Sequence, residues 1–251
     1  MIRIVLVGAA GRMGRAIAQA ADGAEGVRVV ACVDASPPAG ATGAWFADPA
    51  EAIAAGTVVV EFSSPAGAVR AAALCAERGA ALVSGATGLS GEQEAGVRAA
   101  GAKVAVLRAS NFSVGVAALR RALAAALAAV PRTWDVEIIE RHHRLKKDSP
   151  SGTALTLADD ALAARTLGRS ALRHGREGAV GARTADEIGV HAVRGGTQVG
   201  DHTVLLAGEG ETLELRHVAQ DRAAFAHGAL AAARFVAGAA PGLYAMEDLF
   251  Q

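Results

Sequence analysis

Through the first 110 residues, short apolar runs alternate with alanine-rich, helix-forming stretches, and few folds accept that alternation. The apolar runs are Ile2–Val7, Val27–Val33, Thr57–Glu61, Ala80–Val83 and Lys103–Leu107. Between them lie the helical stretches Arg12–Ala21, Pro49–Ala55, Pro65–Glu77 and Gly91–Ala100. The apolar runs are nearly continuous, and strands buried on both faces are built that way. The spacing predicts a parallel sheet with helices on both sides.

After Asn111 the texture changes. A helix over Val114–Ala129 is stopped by Pro131, and a strand over Trp134–Glu140 follows. A charged segment, Arg141 to Asp148, leads into a helix from Ser151 to about Thr166. Residues 168–184 read as a surface loop. Three strand-like runs, Glu187–Val193, Thr203–Ala207 and Thr212–Val218, are separated by Gly195-Gly196 and Gly208-Glu209-Gly210, which predicts an antiparallel meander. A last helix runs from about Ala223 to Val236. The expected fold class is α/β: a Rossmann-like parallel sheet first, then a smaller α+β domain with a mixed or antiparallel sheet.

Composition narrows the function. A formal net charge of zero gives no global attraction to nucleic acid or to a membrane surface. The two cysteines, Cys32 and Cys75, lie in apolar stretches and read as reduced core residues. The run Ile4–Val7 ends at Gly8, too short for a signal-peptide core or a membrane span. These features predict a cytoplasmic protein with no nucleic-acid or membrane partner.

Between the first strand and first helix stands Gly8-Ala9-Ala10-Gly11-Arg12-Met13-Gly14. Glycines there permit a tight turn and let the backbone approach a pyrophosphate, and the helix start offers N–H groups and a positive dipole end. Asp34, which follows the second strand, is an acid placed to accept hydrogen bonds from ribose hydroxyls. An acid repels a ribose phosphate, and Ala35-Ser36 bring no arginine to offset it, so NADH should be used well; Arg12 keeps NADPH in play. Phe62-Ser63-Ser64, Gly85-Ala86-Thr87-Gly88 and Ala109-Ser110-Asn111-Phe112-Ser113 follow later strands at the edge where ligands of such sheets bind, and the last is expected to lead between domains.

The densest chemistry runs from Glu140 through Thr153: E-R-H-H-R-L-K-K-D-S-P-S-G-T. Only Lys103, Lys146 and Lys147 are lysine among 25 basic residues. Arginine holds its proton near neutral pH, whereas a lysine among Arg141, Arg144 and Lys147 is pushed toward releasing one. Histidine titrates near neutral pH by default, so His142 or His143 with Lys146 makes an acid–base set. Ser151 is an N-cap, and the N–H groups of Gly152 and Thr153 with the Thr153 hydroxyl can hold a carboxylate. Cations beside an anion-binding helix start imply a small acidic substrate, a dicarboxylate in the simplest case. The adjacent histidines point apart on an extended chain and no cysteine or carboxylate cluster completes a shell, so no metal site is expected. The plain alternative for this segment is a solvated basic loop.

Taken in order, these segments resemble the 4-hydroxy-tetrahydrodipicolinate reductase (dihydrodipicolinate reductase) family of bacterial lysine synthesis. The likeness rests on Val7 through Gly14, Gly85 through Gly88, Ala109 through Ser113 and Glu140 through Ala154, and extends to Gly200-Asp201-His202-Thr203 and Arg222-Ala223-Ala224-Phe225. The resemblance implies hydride transfer from NADH or NADPH to the substrate ring. His142 would be the proton donor and acceptor, and Lys146 the proton donor. His143, Gly152 and Thr153 would contact substrate. The cofactor would meet Gly8, Ala9, Ala10, Gly11, Arg12, Met13, Asp34, Phe62, Gly85, Ala86, Thr87, Ala109, Ser110, Asn111 and Phe112. It also implies a homotetramer packed through the second domain's sheets. The last helix would return to the nucleotide domain, giving domains over 1–112 with 222–251 and over 113–221. Two positions depart: Ser64 and Ala35 stand where some relatives carry arginine, which weakens a strong NADPH preference.

Other classes fit less well. A short-chain dehydrogenase needs a tyrosine with a lysine four residues on, and Tyr244 has none. An amino-acid dehydrogenase does not need Pro150-Ser151-Gly152-Thr153 after a His–Lys loop. A non-catalytic nucleotide sensor should have lost His142 or Lys146, and both are present.

Overall fold

The strand β1 (Ile2–Val7), fully buried from Ile4 to Leu6, is the centre of the first sheet. In the computed structural model, which describes residues 1–250, this sheet belongs to a unit made of Met1–Val114 and the stretch from Arg222 onward. The chain proceeds through α1 (Arg12–Asp22), β2 (Val27–Val33), β3 (Trp45–Phe46), α2 (Pro49–Ala52), β4 (Val58–Glu61), α3 (Pro65–Arg78), β5 (Ala81–Ser84), α4 (Gly91–Ala99) and β6 (Ala105–Arg108). Local signals set these boundaries. Asp48 and Ser64 cap α2 and α3 ahead of a proline, and Ser90 forms a capping box with Gln93 at α4. Gly79 ends α3 in the left-handed conformation.

The second unit spans Gly115–Asp221. It holds nearly all of α5 (Val114–Ala129), then β7 (Asp135–His142), α6 (Gly152–Arg165), β8 (Leu172–Arg173), β9 (Ile188–Arg194), β10 (Gly200–Ala207) and β11 (Thr212–Ala219). The chain then returns to the first unit with α7 (Ala223–Val236) and β12 (Gly242–Tyr244). The first sheet has the order β12-β6-β5-β4-β1-β2-β3, with every pairing parallel. Strand order reverses direction at β1, which pairs with β2 on one side and β4 on the other, and ligands of such sheets sit at that reversal. Its core joins Val5, Val7, Val59, Leu82 and Val106 to Ala68, Ala72 and Cys75 of α3.

The second sheet corrects the meander. Its order is β11-β10-β7-β9-β8, so β9 and β10 are not neighbours: each flanks β7, β9 parallel to it and β10 antiparallel. The Gly208–Gly210 turn does join an antiparallel pair, β10 and β11. β7 alternates strictly, with Val136, Ile138, Glu140 and His142 buried. Val136 and Ile138 join Leu123, Leu157 and Leu206 in the second core. β9 brings Ile188 and Val190, and β10 brings Val204 and Leu206, to the same core from either side of β7.

Smaller differences have local causes. The stretch 168–184 carries a helical turn and β8, because Leu172 packs on the second core and pairs with β9. β3 and β12 are too short to show a pattern. Cys75 is buried, and its thiol is pushed up to about 12 by burial and the nearby Glu61; Cys32 is only half-buried, a correction to its core reading.

Candidate active site

The first-unit site is built on glycine turns. Gly8 has a φ of +82°, and a Cβ there would lie 2.6 Å from the Phe62 carbonyl oxygen, so only glycine fits between the loops after β1 and β4. A Cβ on Gly14 would collide with the Gly8 carbonyl oxygen and with Ala9, which lets α1 start tight against the turn. Gly11 caps α1 without a side-chain bond, and no acid occupies the first turn, so the N–H groups of Arg12 and Met13 form an anion-ready helix start. Asp34 accepts from the Ala10 N–H at 3.0 Å and from the Ser36 N–H at 3.1 Å, which fixes its carboxylate beside the turn. Arg12 is exposed and Met13 half-buried at the same place, and Arg15 donates to the Ala10 carbonyl.

The other loops converge on Phe62. Its ring lies over Gly85, where a Cβ would come within 2.2 Å of it, and its centroid is 5.0 Å from that of Phe112. Ala86 and Phe112 are buried, Ala109 and Asn111 half-buried, Thr87 and Ser110 exposed. The Asn111 side chain accepts from the Ser113 N–H at 2.8 Å. Sequence reasoning gave no role to Glu61, the fully buried end of β4. It accepts from the Ser63 N–H at 2.6 Å, the Ser63 hydroxyl at 2.7 Å and the Ser84 hydroxyl at 2.9 Å, and so ties two of these loops together. Cradle, acid and stacked loops fit the pyrophosphate, ribose and ring of a dinucleotide.

The second-unit site lies at the end of β7. Glu140 and His142 continue the row of Val136 and Ile138, so core packing orients them. His142 Nδ1 meets Glu140 at 2.6 Å. Arg194 of β9 forks onto both Glu140 oxygens at 2.7 Å, and the Ser151 N–H donates to the same carboxylate at 2.9 Å. Burial alone would raise the Glu140 carboxyl, but Arg194, then His142 and Ser151, outweigh it and hold it below the usual range. His202 of β10 sets its ring edge-on to His142 with centroids 5.1 Å apart, and its Nε2 is 3.0 Å from the Ser151 hydroxyl. Burial first, then the charge of His142, push His202 down to about 4.

Both acid–base candidates have defined surroundings. His142 falls below its ordinary value: burial outweighs the opposing contact with Glu140, and the charges of Lys146 and Arg194 add to the lowering. Lys146 is not simply crowded by cations, because its Nζ lies 2.9 Å from Asp148, whose carboxyl is held down by that contact. The Lys146 side chain is only 20% exposed, so the ammonium is held at the site rather than loose in water.

The loop is pinned by the His143 N–H donating to the Gln198 carbonyl at 2.8 Å and by the Arg144 N–H donating to Gly196. His143 is half-buried, and its Nδ1 is buried without a protein hydrogen-bond partner. At α6 the Ser151 hydroxyl accepts from the Ala154 N–H at 3.1 Å, which establishes it as the N-cap. Gly152 is exposed and Thr153 half-buried in the first turn, which carries no acid. Glu140, Arg194, Ser151 and His202 had no assigned catalytic setting in the sequence. The signal for Glu140 was its place at the head of the Glu140–Ala154 stretch that carries the resemblance. Among the described residues, no group of three or more His, Cys, Asp or Glu is arranged to hold a metal ion, and no helix is long and apolar enough to cross a membrane.

Comparison with known proteins adds the lineage. Residues 2–112 match the family model for the dihydrodipicolinate reductase N-terminus, and residues 115–250 match that for its C-terminus. The second match runs through α7 and β12, which pack in the first unit. A 4-hydroxy-tetrahydrodipicolinate reductase from Thermomicrobium roseum is 45% identical over 99% of this chain and 99% of its own. One from Anaeromyxobacter sp. is 43% identical over 99% of this chain and 97% of its own. A dipicolinate-bound dihydrodipicolinate reductase from Paenisporosarcina sp. superposes with a TM-score of 0.81 at 27% identity, covering 99% of both chains. The chain belongs to the dihydrodipicolinate reductase family.

Proposed function

We propose that this chain reduces 4-hydroxy-tetrahydrodipicolinate to tetrahydrodipicolinate with NADH or NADPH, in the diaminopimelate branch of lysine synthesis. The observation that carries this reading is the second-unit site: an imidazole and an ammonium set beside a helix start suited to carboxylate, in a chain matched along its length by reductases of that name. The two compound names fix the balance. The substrate loses its hydroxyl as water and gains a hydride and a proton, so substrate, NAD(P)H and a proton give product, NAD(P)+ and water.

The proton work falls to two residues. His142 presents Nε2 as the donor and acceptor, with Nδ1 held by Glu140. Lys146, paired with Asp148, is the proton donor to the developing negative charge on the substrate. The Gly152 N–H, with Thr153 and His143, receives substrate carboxylate. The bound reduced nicotinamide supplies the hydride. For that cofactor, Gly8, Ala9, Ala10, Gly11, Arg12 and Met13 form the pyrophosphate cradle, and Asp34 takes the ribose hydroxyls. Phe62, Gly85, Ala86, Thr87, Ala109, Ser110, Asn111 and Phe112 line the rest. NADH is used well because Asp34 has no arginine neighbour at position 35 to neutralise a ribose phosphate. The working protein is a cytoplasmic homotetramer with domains over 1–112 plus 222–251 and over 113–221.

Isotope transfer tests the reading. With reduced cofactor deuterated at the transferring carbon, and substrate made in place by the preceding synthase, mass spectrometry should find a product lacking one oxygen and carrying deuterium. Substrate returned without deuterium would refute it.

A further inference from the structure

We propose that Glu140 is the positioning residue of the acid–base histidine, one buried carboxylate that locks His142 and the start of α6 into a single arrangement; this rests on the role given to His142 above. Glu140 is fully buried. Both of its oxygens are engaged. Oε2 meets His142 Nδ1 at 2.6 Å and Arg194 at 2.7 Å. Oε1 takes the Ser151 N–H at 2.9 Å and Arg194 at 2.7 Å. An ionised carboxylate only accepts, so Nδ1 carries the hydrogen of neutral His142 and Nε2 is left for the substrate.

The same carboxylate reaches the anion cradle. Ser151 is the N-cap of α6, so its N–H on Glu140 fixes where Gly152 and Thr153 begin the helix. Arg194 widens the connection by donating to the Asp148 carbonyl at 2.8 Å, next to the segment that carries Lys146. A structural ion pair with Arg194 would need neither the imidazole nor the helix start. Here one acid serves the histidine and the cradle together, which is how a supporting residue keeps two reacting groups in register.

The charges around His142 give the proposal a readout. Glu140 faces it from β7, Arg194 from β9 and His202 from β10, while Lys146 faces it from the loop that follows. Two of these are cations, and Glu140 is the carboxylate in contact with the ring. In Glu140→Gln the cations act on His142 unopposed, so its titration midpoint moves down. A carboxamide also cannot accept from Arg194, Ser151 and Nδ1–H all at once, so the ring loses its fixed tautomer.

The experiment is nitrogen NMR of the histidines in the full chain without substrate. In the unaltered protein, neutral His142 should be the Nδ1–H tautomer. Glu140→Gln should lower its midpoint by about one unit or more, mix the tautomers and cut kcat about thirtyfold. An Nε2–H tautomer in the unaltered protein overturns the proposal without any variant. So does a folded Glu140→Gln whose His142 titrates as before, even if its kcat falls, since that marks a structural role. A chain with no reductase activity would sink the assigned reaction, while the NMR result would still decide the Glu140 contact.

Discussion

At the scale of single residues, the proposed preference between the two nucleotides rests on charge placement. Asp34 is fixed by the Ala10 and Ser36 N–H groups, and each oxygen keeps a lone pair for a ribose hydroxyl. Asp34→Ala should therefore weaken NADH about tenfold, from the loss of charge-assisted hydrogen bonds, and leave NADPH unchanged or tighter. Titration of cofactor fluorescence reads both affinities, and an equal loss for the two would remove the ribose contact. The residues legible in the sequence were those whose chemistry is rare or whose backbone is special. Two of three lysines in one segment, a histidine pair, and glycines at Gly8 and Gly14 all stand out along the chain. Glu61 and Arg194 did not, because their meaning comes from partners on other strands and arginines and glutamates are common here.

Individual elements hold the site by burying polar groups in fixed pairs. His202 of β10 titrates near 6.5 in an unfolded chain and is pushed down to about 4 in the fold by burial and by His142. The unfolded chain then binds the proton more tightly, so this contribution is whole above about pH 6.5 and is lost as pH falls toward about 4. Between about pH 7.5 and 5 that loss amounts to about 2 kcal/mol. Urea denaturation of a folded His202→Gln at the two pH values should give a drop smaller by that amount than in the unaltered protein. Equal drops would show that His202 is not held neutral. Element positions were readable wherever a pattern ran five residues or more: β1, β2, α5 and α7 lie at or within a residue of the reading. Pairing was not readable, since β9 and β10 have similar patterns and only the packed sheet decides that both flank β7.

On the scale of the whole molecule, the chain leaves its first unit and comes back. α7 packs against α1 and beneath β4, β5 and β6, and β12 pairs with β6 at the sheet edge. Ala226, Ala229, Leu230 and Val236 are buried there. A chain ended after Asp221 exposes that face, and at ~2–3 kcal/mol for each large side chain involved the first unit should lose cooperative melting and cofactor binding. The second unit keeps its own core through Leu123, Ile138, Leu157 and Leu206 and should still melt as a unit. Calorimetry of the shortened chain checks both. Retained cofactor binding would show that the returning segment is dispensable.

The most direct measurement is turnover with substrate supplied by the preceding synthase, following NADH and NADPH oxidation separately in the unaltered protein, His142→Ala and Lys146→Ala. The expected result is substrate-dependent oxidation of both cofactors by the unaltered protein and a loss of about a hundredfold or more in each folded variant. Absence of oxidation in the unaltered protein, or near-normal rates in either variant, would contradict it.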